Sequence, residues 1–268
     1  MPEWITSFFT DETDVVEKLN LFGWEHFLLL GLTLLGGILL YRCRHRLRRW
    51  RGRERVRIVM AALYLVNMLV FYGVFLVKGI YDWHIHLPLH LCFLTNFAFI
   101  YILLTGNRRL FQIVFFFTWV GPLPAMLMPN TPMRFDRFLT YHFAISHHLL
   151  LLMGLYCLFV LGWQVEWRDV GRAFLAGNVV FLAVFAFNAV FGTNYIMTTR
   201  LPAHIIAMLP FLRWFDYPIV WLELCGLAGM CAAYLPVKRL RTAEAAASLC
   251  EPLSGVSHLK GSVLRSRK

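Results

Sequence analysis

The stretch LPLHLCFLTNFAFIYILLT, residues 87–105, decides the fold. Nineteen residues pass without an Asp, Glu, Lys or Arg. About 20 apolar residues suffice to carry a helix across a ~30 Å hydrocarbon layer. Gly106-Asn107-Arg108-Arg109 closes the run. At its start stand His90 and Cys92, with His84 and His86 just before. Ionisable side chains at a membrane span are costly and mark function.

Similar runs lie on either side of this one. They are read as spans over about His26–Tyr41, Ile58–Val77, Leu110–Met128, Phe138–Leu161, Ala173–Phe191 and Pro218–Tyr234. The chain of 268 residues is 59% hydrophobic and 15% charged, where soluble proteins carry about 25% charged residues. Strands of a membrane barrel alternate in polarity and are about half as long as these runs. The expected fold is therefore an all-α polytopic membrane protein with seven transmembrane helices. Gly121-Pro122-Leu123-Pro124 should kink the fourth, because proline removes a backbone donor and clashes with the preceding turn.

Charge supplies an orientation. Residues 42–57 hold nine arginines against Glu54. With the N-terminus outside, 20 of the 26 lysines and arginines fall in the inner segments, as the cytoplasmic bias of basic residues requires. The C-terminus is then cytoplasmic. The formal charge of +11 follows from orientation, and no nucleic-acid partner is needed to explain it. The basic loop is read as a topology anchor that could also touch anionic headgroups. Three parts are expected: an acidic extracytoplasmic segment at 1–24, a membrane domain at 25–241, and a disordered cytoplasmic tail at 242–268. Residues 202–210 are too short to span and read as an interfacial or re-entrant piece. Acidic residues dominate the first 25 positions, which does not fit a cleavable signal peptide. The six cysteines show no CxxC pair, so no disulfide framework is expected.

By this topology eight of the ten histidines lie toward the outer side. Span three brings His86, His90 and Cys92; span five brings His142, Ser146, His147 and His148; span six ends at Asn188, Thr193, Asn194 and Tyr195. A thiol at a helix N-terminus is activated by the positive end of the helix. A histidine from another helix can take its proton. His90 is a poor partner, since positions two apart do not share a face; His147 or His148 is the better one. Three other readings stand beside this. Cys92 could be an inert buried thiol beside structural histidines. His86 and His90, four apart with Pro88 between them, could begin a metal site with His147. The chain could also be a small transporter, or a binding or scaffold protein, with a histidine cluster and no catalysis. Glu223, the one acid within a span, reads as a structural hydrogen-bond partner or a proton-coupling group.

Three motifs, Leu87-Pro88-Leu89-His90-Leu91-Cys92, Phe143-Ala144-Ile145-Ser146-His147-His148 and Gly192-Thr193-Asn194-Tyr195, resemble the YwaF-like integral membrane proteins and the related transmembrane protein 164 acyltransferase family. The resemblance implies a phospholipid acyltransferase that works through a cysteine thioester in the outer half of the membrane. It implies Cys92 as nucleophile and His147 as its base. His86, His90, His142, His148, Asn194 and Tyr195 would be supporting or substrate-binding groups. Its partners would be membrane lipids, a phospholipid acyl donor and a lysolipid acceptor, in a bacterial inner membrane. No metal and no other cofactor enters this reading. The animal pattern has a histidine directly after the cysteine, where Phe93 stands here.

Overall fold

The computed structural model describes residues 8–9, 23–129, 133–201, 205–206, 210 and 218–250, with side chains to Thr242. Most of the acidic segment, His204, most of the expected interfacial piece and the tail beyond Cys250 lie outside the described residues. No strand occurs among those described. The helices are α1 (Trp24–Arg42), α2 (Arg44–Arg49), α3 (Arg53–Val77), α4 (Trp83–His86), α5 (Leu91–Thr105), α6 (Arg108–Val120) and α7 (Pro122–Leu127). There follow α8 (Phe138–Phe143), a π-helical turn (Ala144–Leu149), α9 (Leu150–Phe159), α10 (Trp167–Phe191), a 3₁₀ turn (Tyr195–Met197) and α11 (Pro218–Cys250).

Six helical segments are long and apolar enough to cross a membrane: Trp24–Arg42, Arg53–Val77, Arg108–Leu127, Phe138–Phe159, Trp167–Phe191 and Pro218–Thr242. The seventh apolar helix, α5, has 15 residues, roughly 22 Å at ~1.5 Å per residue. That is short of the ~30 Å hydrocarbon layer. The expected start at Leu87 is corrected to Leu91. Leu87 lies extended at φ −60° and ψ 147°, as the residue before a proline prefers, and Pro88 sits in a turn rather than in a first helical turn.

Polarity runs inside out. Leu34, Leu182 and Val190 are two-thirds or more exposed, while the fully buried residues of α1 are His26 and Thr33. A water-soluble helix buries the opposite set. Apolar side chains outward and hydrogen-bonded polar side chains inward suit a hydrocarbon surround. Phe138–Phe159 is the innermost segment, with 67% of its apolar window buried against 11% for Trp24–Arg42. Its π turn touches α1, α3, α5 and α7, so polar groups there meet side chains from four other elements.

Local chemistry sets several boundaries. Gly121 breaks the fourth run between α6 and α7, with Pro122 at the first position of α7. Helix α10 begins at Trp167, six residues before the apolar run, because Glu166 and Asp169 form a reciprocal capping box. Helix α11 passes through Pro236 and continues to Cys250, so its backbone runs beyond the expected end of the membrane domain. Gly154 lets α9 lie close to α6, since a Cβ there would come to 3.0 Å from Thr118 Oγ1. Small residues at helix contacts let backbones approach in membranes.

Candidate functional site

Cys92 is the second residue of α5, half-buried and free of any disulfide. The helix is entered from His90 in extended conformation, and the His90 side chain caps none of its first N–H groups. These N–H groups carry the positive end of the helix. One turn on, Asn96 is fully buried. Its Nδ2 donates to Cys92 O at 2.8 Å and to Ser146 O at 3.0 Å. Both partners are carbonyl oxygens, so the amide cannot be flipped, and Oδ1 is left without a donor.

The Ser146 carbonyl belongs to the π turn that carries Ser146, His147 and His148. Two side chains loosen the helical ladder there: Ser146 Oγ donates to His142 O at 2.7 Å and His147 Nδ1 to Phe143 O at 3.1 Å. Both reach the carbonyl four residues back, a pattern that bends helices; π turns also recur at functional sites. A carbonyl can only accept, so His147 Nδ1 carries a proton, and in the neutral ring Nε2 keeps its lone pair. His147 Nε2 makes no hydrogen bond among the described residues and is not one of the polar atoms walled in without a partner.

The neighbouring imidazoles are held from other helices. His142 Nδ1 meets Asn67 Oδ1 at 3.2 Å, and the ring stacks on Phe71 with centroids 4.1 Å apart. Asn67 Nδ2 donates to Ser146 Oγ at 3.1 Å. His148 Nδ1 lies 2.7 Å from Thr33 Oγ1, which itself donates to Leu29 O. His148 therefore donates through Nδ1, and its Nε2 is buried without a partner. His26 Nε2 reaches Met126 O at 2.7 Å.

A second group forms around Tyr195. Its hydroxyl accepts Leu87 N–H at 3.0 Å and donates to Trp83 O, pinning the segment before Cys92. Burial raises the pKa of this hydroxyl. Asn188 clamps Tyr195 from both sides, through Tyr195 N–H to Oδ1 at 3.0 Å and Nδ2 to Tyr195 O at 2.8 Å. Ile196, at φ 56°, donates its N–H to His90 Nδ1 at 3.4 Å. A β-branched residue in that left-handed region is strained; such strain persists only where surrounding contacts over-determine it.

Of the candidate residues, His147 and His148 share the π turn, His142 lies just before it in α8, and Asn96 links that turn to the helix of Cys92. No hydrogen bond joins Cys92 Sγ to an imidazole among the described residues. His86 and His90 do not share a helical face, because the chain unwinds between them. His86 ends α4 and takes Asp82 N–H on Nδ1, while His90 precedes α5. Asn194 is engaged in its own loop, where Oδ1 accepts Thr199 Oγ1 at 2.7 Å. Among the described residues no group of three or more His, Cys, Asp or Glu is arranged to hold a metal. Glu223 accepts Asn178 Nδ2 at 3.0 Å, the structural bond expected of it. Asn67, Asn96 and Thr33 were not singled out in the sequence. Their signal was a hydrogen-bonding side chain inside an otherwise apolar run.

These features define a multi-pass helical membrane protein with a polar, histidine-rich interior at one end. Residues 21–234 match the TMEM164 family, and the chain belongs to that family. Neither the curated proteins nor the solved structures contain a match.

Proposed function

We propose that this TMEM164-family protein is a phospholipid acyltransferase, or a lipid-acyl hydrolase with water as acceptor, that works through a thioester on Cys92. In this reading α5 completes a seven-helix bundle with the N-terminus outside and the C-terminus in the cytoplasm. Residues 1–24 are then extracytoplasmic, 25–241 form the membrane domain, and 242–268 are cytoplasmic. A bacterial inner membrane is the expected location, with the site in its outer half.

One arrangement carries the proposal. A half-buried thiol stands at an uncapped helix N-terminus, and Asn96 ties that helix to the turn bearing His147. His147 offers an unprotonated Nε2, the form a general base needs. Apo hydrogen bonds in active sites are often long and tighten on substrate binding. The thiol proton goes to His147 Nε2, and the sulfur adds to the ester carbonyl carbon. Collapse breaks the carbon–oxygen bond to the donor glycerol, whose oxygen takes the proton back from His147. A lysolipid hydroxyl then gives its proton to His147 as its oxygen attacks the thioester carbonyl; the carbon–sulfur bond breaks, the new ester leaves, and the sulfur takes the proton from His147 to return the thiol.

The test is mass spectrometry of the purified protein after incubation with phospholipid. An acyl adduct on Cys92 is expected in the wild type. Cys92→Ala should carry none, and His147→Gln should form it 10²–10⁴-fold more slowly, the usual range for lost general-base catalysis. Full acyl transfer by Cys92→Ala rejects the proposal. Reconstituted vesicles that move a solute through the protein, with no adduct formed, favour the transporter reading.

A further inference from the structure

The hydroxyl of Tyr72, on α3, is buried and has no hydrogen-bond partner among the described residues. Tyrosine normally satisfies its O–H when buried, and each exception calls for an explanation. Its position supplies one. Helices α3 and α5 pack together, and both are fixed to the same residue of the π turn: Asn67 to Ser146 Oγ and Asn96 to Ser146 O. From that shared level, five residues along α3 lead to Tyr72, roughly 7.5 Å at ~1.5 Å each. Four residues back along α5 lead to Cys92, roughly 6 Å. Tyr72 and Cys92 therefore stand at one height. The Tyr72 ring packs beside Phe93, the residue after Cys92, with centroids 6.1 Å apart, and beside Tyr81 at 6.4 Å.

We infer that Tyr72 donates the hydrogen bond that stabilises the oxyanion formed when Cys92 attacks an acyl ester. This rests on the acyltransfer reading and adds to it a residue from a different helix. When sulfur adds to the carbonyl carbon, the carbonyl π pair moves onto oxygen. The Tyr72 O–H holds that oxygen without giving up its proton. Collapse restores the carbonyl, and the leaving oxygen departs with its bonding pair. An unpaired donor in a site from which water is largely excluded costs little reorganisation at that moment. The competing role for Tyr72 is packing in the aromatic cluster of Phe71, Phe75 and Phe138. Tyr72→Phe separates the two, because it keeps the ring and removes only the hydroxyl.

The full chain in detergent micelles is treated with p-nitrophenyl octanoate, and acylation of Cys92 is followed by p-nitrophenolate release and adduct mass. The same samples are alkylated with iodoacetamide, a reaction that forms no tetrahedral intermediate. Tyr72→Phe should acylate about a hundredfold more slowly, the loss typical of one oxyanion donor. Its alkylation rate and melting temperature should match the wild type. Acylation at the wild-type rate overturns the inference. So does an equal fall in acylation and alkylation, since that marks a general disturbance of Cys92. A wild-type Cys92 that is alkylated but never acylated overturns the acyltransfer reading, and this one with it.

Discussion

The two ends of the bundle use polar side chains in opposite ways. At the arginine end, cations are spent on backbone carbonyls, mostly at helix ends. Arg48 donates to Phe159 O, the last residue of α9, at 2.7 Å, and Arg57 to Leu103 O and Leu104 O in the last turn of α5. Arg241 reaches Val165 O. Cations at helix C-termini satisfy orphan carbonyls and complement the dipole. At the histidine end, imidazoles and amides knit five elements together and still leave Tyr72 O–H, Asn96 Oδ1 and His148 Nε2 without partners. The first arrangement closes a scaffold, although the Tyr64 hydroxyl midway along α3 is also unpartnered among the described residues. The second keeps unspent donors and acceptors within the same end of the bundle as Cys92, which suits the proposed site.

Variants at the two ends should therefore fail differently. The largest effects are expected at Cys92, His147 and Tyr72, where the proposed mechanism calls for acylation to fall by orders of magnitude. Asn96→Leu comes next, because it removes the link between α5 and the π turn and leaves the buried Ser146 carbonyl without that donor. A buried group left unsatisfied costs about 1–3 kcal/mol. Thermal unfolding in detergent should show the loss, and Cys92 acylation should slow with it. A variant that melts lower but acylates normally would detach Asn96 from the site and leave it a purely structural pin.

Arg48→Ala is the matching change at the other end. It removes one donor from a part-buried carbonyl that water can reach, so a loss of about 1 kcal/mol is expected. Acylation of Cys92 should not change. A comparable fall in both measurements would break the contrast between the ends.

How far the sequence foretold this contrast differs from element to element. The apolar runs, the break at Gly121-Pro122 and the gathering of histidines were legible, because each follows from hydropathy or from proline geometry. The start of α5 was misplaced by four residues, although Pro88 carried the signal: the residue before a proline avoids helix. The π turn had no such signal. It arises when Ser146 and His147 bond carbonyls one turn back while Asn67 and Asn96 hold Ser146 from other helices, and a single strand of sequence does not reveal partners 50 and 79 residues away. The early start of α10 was written as Glu166 and Asp169 but was masked by the charges that make up the cap.

The smallest effect belongs to Asp82, at the exposed mouth of the histidine end. Its side chain accepts His84 N–H at 2.8 Å and meets His84 Nδ1 at 2.9 Å, capping α4 just ahead of the turn into α5. These bonds hold its carboxyl below the ordinary range. A carboxyl depressed in the folded state stabilises that state above its unfolded pKa, about 3.9, and the contribution is lost as pH falls through the folded value. Thermal melts should therefore lose a small increment below about pH 4. Asp82→Asn keeps a capping oxygen but no titrating group, so its melts should lack that increment. A wild-type and an Asp82→Asn profile that fall together in this window would mean that the cap is replaced by water at no cost. The turn leading to Cys92 would then owe its shape to the contacts of Tyr195, His86 and His90 and to Pro88.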